Sequence, residues 1–297
     1  MKLVTYLKDK TEAIGIQIDA KDAVLPFKAI GLPFVDMNEL IERGNPATLR
    51  ALAKEIAAGN YPEKALIPLN NVKLQSPIPC PRQDVLCLGI NYAAHATEAE
   101  RFHDAAFGHR KDTIYFSKRV NRAVAPNDPV PAHRDIVDSL DYESELGVIL
   151  SRDAYCVSEE EAGDYVFGYT IINDISARNL QTEHKQWYFG KSLDGFTPMG
   201  PCILTADEVA FPPKLGIRSY VNGELRQNST TDLLMTAIPQ IISELSAGMT
   251  LKAGTVIATG TPAGVGMGFV PPRFLKPGDV VTCEIDGIGA LTNPVTE

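Results

Sequence analysis

Ser139-Leu-Asp-Tyr-Glu-Ser-Glu-Leu-Gly-Val-Ile-Leu150 is the stretch around which the chain is organised. Its apolar second half predicts a β-strand. Alternate side chains of a strand share one face, so Asp141, Glu143 and Glu145 are expected to project together, with neighbours about 7 Å apart. Sheltered carboxylates at that spacing must take up protons or bind a cation, for which a hard divalent ion is suited. The alternative interpretation is a solvated acidic edge strand.

Length, composition and charge limit the classes of protein to consider. The chain has 297 residues, of which 44% are hydrophobic and 22% charged, as in an ordinary globular protein. A net charge of -9 argues against a nucleic-acid partner, because such binding needs basic patches. It does not argue against an anionic small-molecule substrate, since local cations or a metal ion outweigh the global charge.

The sequence shows no pattern of a signal peptide, a membrane span or a disulfide framework. Lys8-Asp-Lys10 interrupts the first apolar run, and no run approaches 18 apolar residues. The five cysteines are odd in number, scattered and without a CxxC pair. We therefore expect a cytoplasmic enzyme with free thiols and no membrane partner.

Residues 1–77 have the pattern of a small α+β domain. Leu3–Leu7 and Ala13–Ile18 alternate like the two strands of a hairpin. Met37–Arg43 and Pro46–Ala58 have the pattern of short amphipathic helices. The proline-rich segment that follows, 76–81, marks the boundary of this domain.

Residues 78–297 are dominated by short strands that glycine, proline and Asp-Gly pairs separate. Helices are predicted only from Ser176 to about Lys185 and from Asp232 to Ser246. The chain is therefore predicted to have a β-rich α+β fold, with a small N-terminal domain before a larger catalytic domain.

A third carboxylate follows the predicted strand that ends at Ile172. Asp174 stands where this strand meets a helix, and its alternative role is that of a helix N-cap. Together with Glu143, Glu145 and water, it would complete an oxygen-ligand set with open positions for a substrate. That set is typical of Mg²⁺, or of Mn²⁺ in its place.

His95 and Glu98 are the candidate catalytic pair. They stand three residues apart, so a helical conformation would allow a hydrogen bond between them. A carboxylate beside a histidine raises its basicity and fixes its tautomer, as a water-activating base requires. The surrounding segment, 93–112, is polar and weakly patterned, which is typical of a lid or of a plain surface loop.

Lys191 lies among glycines, prolines and apolar residues, where it would neutralise a substrate carboxylate or enolate oxygen. The same interpretation extends, more weakly, to Lys118, Arg178 and Gln181. The glycine-rich segment Thr259–Gly268 matches neither nucleotide-binding fingerprint. It instead predicts a tight loop that offers backbone N–H groups and the Thr261 hydroxyl to an anion.

From about residue 85 to residue 293, the order of these elements resembles the fumarylacetoacetate hydrolase superfamily. The matching segments are Gly89–Glu98, Tyr115–Lys118, Leu140–Gly147, Asn173–Gln181, Gly190–Pro201 and Thr259–Gly266. The resemblance implies a catalytic domain built as a mixed β-roll, usually paired in a homodimer. It also implies a small N-terminal domain, as in the bacterial isomerase and decarboxylase-like branch.

The resemblance also implies roles for individual residues. By the family pattern the divalent metal falls on the three carboxylates already identified, and the histidine–glutamate dyad lies within a lid that orders over ligand. Lys191, Gln181 and Thr261 fall on substrate-facing positions, whereas Asp141 has no ligand role. The chain departs from many relatives at Ala93-Ala94 and, from decarboxylase-type relatives, at Ile90, where arginine is frequent. Both departures concern the distal group of the substrate.

These features predict a divalent-metal-dependent enzyme that cleaves a carbon–carbon bond in a small keto acid. The substrate would be a 2-oxo or 2,4-dioxo acid, such as an acylpyruvate or fumarylpyruvate, and the bond would break through a metal-stabilised enolate. Oxaloacetate-type decarboxylation and 2-hydroxyhepta-2,4-diene-1,7-dioate-type isomerisation use the same enolate and stay as alternatives. A catalytically silent metal-binding relative is the alternative of another class.

Overall fold

The computed structural model describes residues 1–99 and 112–297. The strands of the first part are β1 (Lys2–Lys8), β2 (Thr11–Ile18), β3 (Ala23–Pro26), β4 (Ile67–Pro68) and β5 (Lys73–Leu74). Its helices are α1 (Met37–Arg43) and α2 (Pro46–Ala57). The predicted hairpin and both predicted helices are thus confirmed.

Local sequence explains these elements. Asp9 and Lys10, both with positive φ, form the two-residue turn between β1 and β2, as tight hairpins require. The side chain of Asp36 accepts a hydrogen bond from the Glu39 N–H and begins α1. Asn45 does the same for α2, whose first residue is a proline with no N–H to satisfy.

The second part of the chain is richer in strands. They are β6 (Val85–Gly89), β7 (Ile114–Lys118), β8 (Val130–Pro131), β9 (Leu140–Asp141), β10 (Ser144–Leu150), β11 (Val166–Asn173), β12 (Ser176–Ala177), β13 (Met199–Thr205), β14 (Gly216–Val221), β15 (Glu224–Thr230), β16 (Val256–Ala258), β17 (Val280–Ile285) and β18 (Gly289–Thr296). The helices are α3 (Ala93–Ala99), α4 (Arg178–Glu183), α5 (Tyr188–Lys191) and α6 (Ile238–Ser246).

Two sheets form most of the fold within the described residues. The larger has 11 strands in the order β4-β3-β2-β1-β13-β11-β10-β16-β6-β7, with β5 beside β1. It is mixed, because β16 and β6 run parallel whereas their neighbours are antiparallel. The second sheet has the order β15-β14-β17-β18-β8, and β12 pairs with β9. This architecture confirms the predicted β-rich α+β fold.

The N-terminal strands continue the larger sheet. β1 pairs with β13 through Lys2 opposite Leu204 and Leu3 opposite Ile203. Apolar side chains of the N-terminal part, such as Leu25, belong to one cluster with core residues of the second part, such as Ile172. The division into domains at residue 77 stays a prediction.

Strand β10 lies in the interior of the larger sheet, between β11 and β16. All seven of its residues are buried, which accounts for its nearly continuous apolar run. Its antiparallel register with β11 places Ser144 opposite Asn173. The beginning of β10 therefore lies beside the end of β11, and this juxtaposition brings the candidate metal ligands together.

Two local predictions differ from the structure. Ser176 and Ala177 pair with β9 as β12, so the helix expected from Ser176 begins at Arg178. The helix expected from Asp232 begins at Ile238, because Pro239 fits only the first turn of a helix. The predicted lid begins as helix α3, and its residues 100–111 lie outside the described residues. No helix in the described ranges combines the length and apolarity needed to cross a membrane.

Candidate active site

Three buried carboxylates meet where β10 begins and β11 ends. Glu143 precedes β10, Glu145 lies within it, and Asp174 follows β11. Each offers an oxygen atom within 4.8 Å of the others. The two chain segments are joined by hydrogen bonds, since the Asp174 N–H donates to the Glu143 carbonyl at 2.9 Å. The Glu143 N–H donates to the side chain of Asn173 at 3.0 Å.

These three residues, here called the carboxylate triad, fit a hard divalent cation. Oxygen donors of this kind suit Mg²⁺ and Mn²⁺. Burial, together with the neighbouring Asp174 and Glu143, raises the pKa of Glu145 well above its usual range. Within the described residues Glu145 receives only the Gly260 N–H, at 2.9 Å, and forms no salt bridge. A cation beside Glu145 would keep this carboxylate ionised.

The other two members of the triad are already paired with cations. The Lys191 ammonium donates to Glu143 Oε2 and Asp174 Oδ2, both at 2.8 Å. Burial opposes ionisation of Glu143, but Lys191 and Arg178 outweigh it and hold the pKa of Glu143 below its usual range. Burial likewise disfavours the ammonium, yet Asp174 and Glu143 raise the pKa of Lys191. Lys191 is therefore a charged group fixed at the triad.

Lys118 occupies a different position from the predicted substrate contact. It is fully buried, its ammonium bonds to Asp174 Oδ1, and it also donates to the Ile175 carbonyl at 3.1 Å. It does not belong to the lining of the cleft described below. This geometry favours a role in holding Asp174. Asp174 itself caps no helix, since α4 begins at Arg178 with Ala177 as its N-cap.

Arg178 links the triad to Asp141. Its Nε donates to Asp141 Oδ2 at 2.9 Å, and its Nη1 donates to Glu143 Oε1 at 2.7 Å and to Gln181 Oε1 at 3.1 Å. The remaining nitrogen, Nη2, is buried and has no hydrogen-bond partner among the described residues. Arg178 and Gln181 both line the cleft, so they offer donors to a substrate anion.

Asp141 does not share the face of the two glutamates as the alternation predicts. β9 ends at Asp141 and β10 begins at Ser144, so the strand is interrupted between them. Asp141 instead accepts the N–H groups of Gly266 at 2.6 Å and Met267 at 3.0 Å. Its carboxylate supports Arg178 and the glycine-rich segment rather than the triad.

The predicted hydrogen bond between His95 and Glu98 is present on helix α3. His95 Nδ1 lies 3.0 Å from Glu98 Oε2. Glu98 Oε1 accepts a further hydrogen bond from the Gly264 N–H at 3.1 Å. A carboxylate on Nδ1 favours the tautomer with the proton on that nitrogen, which leaves Nε2 as an acceptor. The pair thus has the arrangement that a general base needs.

One cleft brings these groups together. Seven of the ten predicted site residues line it, namely His95, Glu143, Glu145, Arg178, Gln181, Lys191 and Thr261. The apolar side of the same cleft is formed by Leu88, Gly89, Ile90, Ala99, Phe116, Trp187 and Met267. The Thr261 hydroxyl donates to the Ser144 carbonyl at 3.0 Å and accepts from Gln227 at 2.6 Å. The hydroxyl hydrogen of Thr261 is therefore used in a hydrogen bond within the protein.

The aromatic part of this cleft was not identified from the sequence. The rings of Phe116 and Trp187 pack edge to face, 5.2 Å apart, and the Lys191 ammonium lies 5.3 Å from the Phe116 centroid. A Cβ atom at Gly89 would lie 2.1 Å from Trp187 Cζ3, so only glycine leaves room for the indole ring. The signal that would have found this wall is the single tryptophan of the chain, four residues before Lys191.

Ile90 also lines the cleft, in an unusual backbone conformation. Its φ is 52°, in the left-handed region that β-branched residues rarely adopt. Such strained residues persist where the surrounding structure holds them, and they concentrate at functional sites. The next residue provides that support, because the Asn91 side chain donates to the carbonyls of Thr236 and Thr259 and accepts from the Thr236 N–H.

The sequence and the fold are similar to those of known proteins. The family model of the fumarylacetoacetate (FAA) hydrolase C-terminal domain matches residues 84–296. Oxaloacetate tautomerase YisK of Bacillus subtilis (strain 168) is 44% identical over 227 residues, which cover 76% of this chain and 74% of that protein.

Two solved structures are similar over the whole chain. Fumarylacetoacetate hydrolase from the psychrophilic Exiguobacterium antarcticum has 38% identity and a TM-score of 0.84, over 100% of this chain and 99% of that one. Maleylpyruvate hydrolase from Sphingobium sp. SYK-6, in complex with manganese(II) ion and pyruvate, has 32% identity and a TM-score of 0.77, with the same coverage. The predicted resemblance is confirmed, and this chain belongs to the fumarylacetoacetate hydrolase superfamily.

Proposed function

We propose that this protein is a divalent-metal-dependent enzyme that hydrolyses a carbon–carbon bond in a small 2,4-dioxo acid of the acylpyruvate type. The observation that carries the proposal is that one cleft is lined by members of both groups, Glu143 and Glu145 of the buried carboxylate triad and His95 of the histidine–glutamate pair. The maleylpyruvate hydrolase relative, whose structure holds manganese and pyruvate, supports the same class of ligand.

The charges around the triad support an anionic substrate. Glu143, Glu145 and Asp174 are the proposed ligands, with Mg²⁺ or Mn²⁺ as the ion. When bound, the ion polarises the 2-oxo group and stabilises negative charge on its oxygen. Lys191 and Arg178 already neutralise part of the triad. Added divalent charge therefore leaves a site that attracts the carboxylate of a keto acid.

Side chains beside the triad would orient this substrate. Arg178 Nη2, buried without a partner among the described residues, is placed to donate to a substrate oxygen. The amide of Gln181 lies beside it, because Gln181 Oε1 accepts from Arg178 Nη1. Lys191 uses two of its three ammonium donors on Glu143 and Asp174, which leaves one donor for an enolate oxygen.

The dyad would activate a water molecule as the nucleophile. His95, held at Nδ1 by Glu98, takes a proton at Nε2 from a water molecule. The water oxygen then attacks the distal carbonyl carbon, and the bond between this carbon and the methylene carbon breaks. The bonding electron pair stays with the pyruvate half as its enolate, which gains a proton at carbon to become pyruvate. The other half leaves as a carboxylic acid.

Keto–enol tautomerisation of an oxaloacetate-type acid is the second candidate. The relative that is 44% identical is an oxaloacetate tautomerase, and this observation favours it. The same dyad would move a proton between carbon and oxygen, with no attack by water. Decarboxylation and isomerisation of a hydroxydiene dioate share the enolate and are separated by their products.

The test is incubation of the purified protein with an acylpyruvate, oxaloacetate and 2-hydroxyhepta-2,4-diene-1,7-dioate, each with Mg²⁺, Mn²⁺ or a chelator. We expect pyruvate release from the acylpyruvate with metal and none with chelator. Glu145→Gln, which keeps the size of the side chain, should abolish turnover. Gly248→Ala, at an exposed position with open space around it, is the matched control. If the enol absorbance of oxaloacetate is lost faster than without protein and no new product appears, the protein is a tautomerase instead. No metal-dependent change of any substrate would indicate a silent metal-binding relative.

The family resemblance gives two further predictions. The resemblance implies a homodimer, which light scattering on the purified protein will test. It also implies that residues 1–77 are a separate domain, which the folding of a variant without these residues, followed by circular dichroism, will test.

A further inference from the structure

The glycine-rich loop, defined here as residues 259–268, donates backbone hydrogen bonds to carboxylates of the site. The N–H groups of Gly260, Gly264, Gly266 and Met267 donate to Glu145, Glu98 and Asp141. The sequence predicts that this loop binds an anion. The anions that its N–H groups contact in the structure are three carboxylates of the protein itself. The loop therefore contacts Glu145 of the carboxylate triad and Glu98 of the histidine–glutamate pair.

The contact with Glu98 is a bifurcated hydrogen bond from one N–H group. The Gly264 N–H lies 3.1 Å from Glu98 Oε1 and 3.3 Å from Oε2, and Oε2 is also the atom that bonds to His95. Gly264 has a φ of +105°, and a Cβ there would lie 2.0 Å from the Arg226 carbonyl. Both the backbone conformation and the space therefore require glycine at this position.

Gly268 makes room for the same carboxylate. A Cβ at Gly268 would lie 1.7 Å from Glu98 Oε1, 2.0 Å from Cδ and 2.4 Å from Cγ. Its φ lies outside the left-handed range, so an alanine there introduces no backbone strain. The atoms in conflict belong to the end of a flexible side chain. A methyl group at 268 would therefore displace Glu98 before it displaces the loop.

The loop is held firmly enough to act as a fixed support. Asp141 accepts the N–H groups of Gly266 and Met267, and the Phe269 ring lies between the guanidinium groups of Arg226 and Arg273, at 5.1 and 4.9 Å. Asp141 also accepts hydrogen bonds from the Tyr142 N–H and from Arg178, which in turn bonds to Glu143. A continuous set of charge-assisted hydrogen bonds thus joins the support of Glu98 to the triad.

We propose that the glycine-rich loop is a positioning element that holds the Glu98 carboxylate in hydrogen-bond contact with His95. Gly268 allows this position because it has no side chain to occupy the same space. The inference rests on the proposed function, because it gives Glu98 its task there. Gly268 does not line the cleft, and it would act through Glu98.

The experiment compares Gly268→Ala with Glu98→Ala, with the double variant and with the control Gly248→Ala, in the full-length protein. Two readouts are taken: the turnover of the acylpyruvate with Mn²⁺, and the downfield proton resonance of the His95 Nδ1–H in the metal-free protein. We expect Gly268→Ala to lose that resonance and to lower kcat on the order of 10- to 100-fold. Its affinity for Mn²⁺ should equal that of the wild type. The double variant should match Glu98→Ala, because no side chain is left to displace.

Each outcome bears on one claim. Gly268→Ala with a wild-type resonance and wild-type kcat would overturn the inference. Glu98→Ala with wild-type kcat would refute the proposed role of the dyad, and the resonance alone would then decide whether Gly268 seats Glu98. If Gly268→Ala does not fold, the double variant must fold, since the conflict is removed. A double variant that also fails to fold would show that the conflict lies elsewhere and would overturn the inference.

Discussion

The carboxylate triad and the His95–Glu98 dyad both contribute side chains to one cleft, but they are built differently. The triad lies at the ends of two interior strands, with exposures of 5%, 1% and 0% for Glu143, Glu145 and Asp174. The dyad lies on a helix of seven residues, where His95 is 6% exposed and Glu98 is half-buried. The sheet fixes the first group, whereas a hydrogen bond from Gly264 supports the second.

Because the two groups are built differently, we expect mutations in the triad and in the dyad to have different consequences. Glu143 and Asp174 are partners of buried cations, so removal of either should affect both metal binding and folding. Dyad residues have no buried cation to balance within the described residues, so their removal should affect the reaction while the fold and the metal affinity persist. The predictions below test this separation.

Glu143→Ala should have the largest effect. It removes a proposed ligand and leaves Lys191 and Arg178 without one of their buried counter-charges, which typically costs roughly 3–5 kcal/mol of stability. Calorimetric titration should find no measurable binding of Mg²⁺ or Mn²⁺, and thermal unfolding should occur at a lower temperature. Near-native metal affinity in the folded variant would contradict the assignment of this ligand.

His95→Ala should come second, with an effect confined to the reaction. A positioned general base contributes about 10²- to 10⁴-fold to a rate, so kcat for the acylpyruvate should fall by a factor in this range. Metal affinity and the unfolding temperature should stay close to those of the wild type. Steady-state kinetics and calorimetry check both parts, and unchanged hydrolysis would show that a different group activates water.

Thr261→Val should have the smallest effect, and it should fall on stability. The Thr261 hydroxyl already bonds to Ser144 and Gln227, and loss of such a hydrogen bond typically costs about 1 kcal/mol. Denaturant unfolding should show this loss, whereas KM should change by less than about twofold. A large rise in KM with unchanged stability would instead support the substrate contact that the sequence predicts.

The parts of the site that the sequence predicts are those that local pattern determines. Alternation along a strand places Glu143 and Glu145 on one face, and the end of the preceding apolar run places Asp174. The i, i+3 spacing of His95 and Glu98 needs only a helical turn to bring them together. In each case a few neighbouring residues carry the information.

The parts that the sequence misses depend on contacts between distant segments. Asp141, where the strand is interrupted, accepts hydrogen bonds from Gly266 and Met267, which follow it by more than a hundred residues. The packing of Trp187 over Gly89 likewise joins two remote segments. Lys118 satisfies the same criteria as Lys191 in sequence, and only the fold shows that it lies behind Asp174.

The most direct test of the central claim is the position of the metal ion. Crystals of the wild-type protein grown with Mn²⁺ and pyruvate should give an anomalous difference peak at the carboxylate triad. Oxygen atoms of Glu143, Glu145 and Asp174 should lie about 2.0–2.6 Å from it, with pyruvate oxygens on the open positions. A peak away from these residues, or no peak at a saturating Mn²⁺ concentration, would contradict the account.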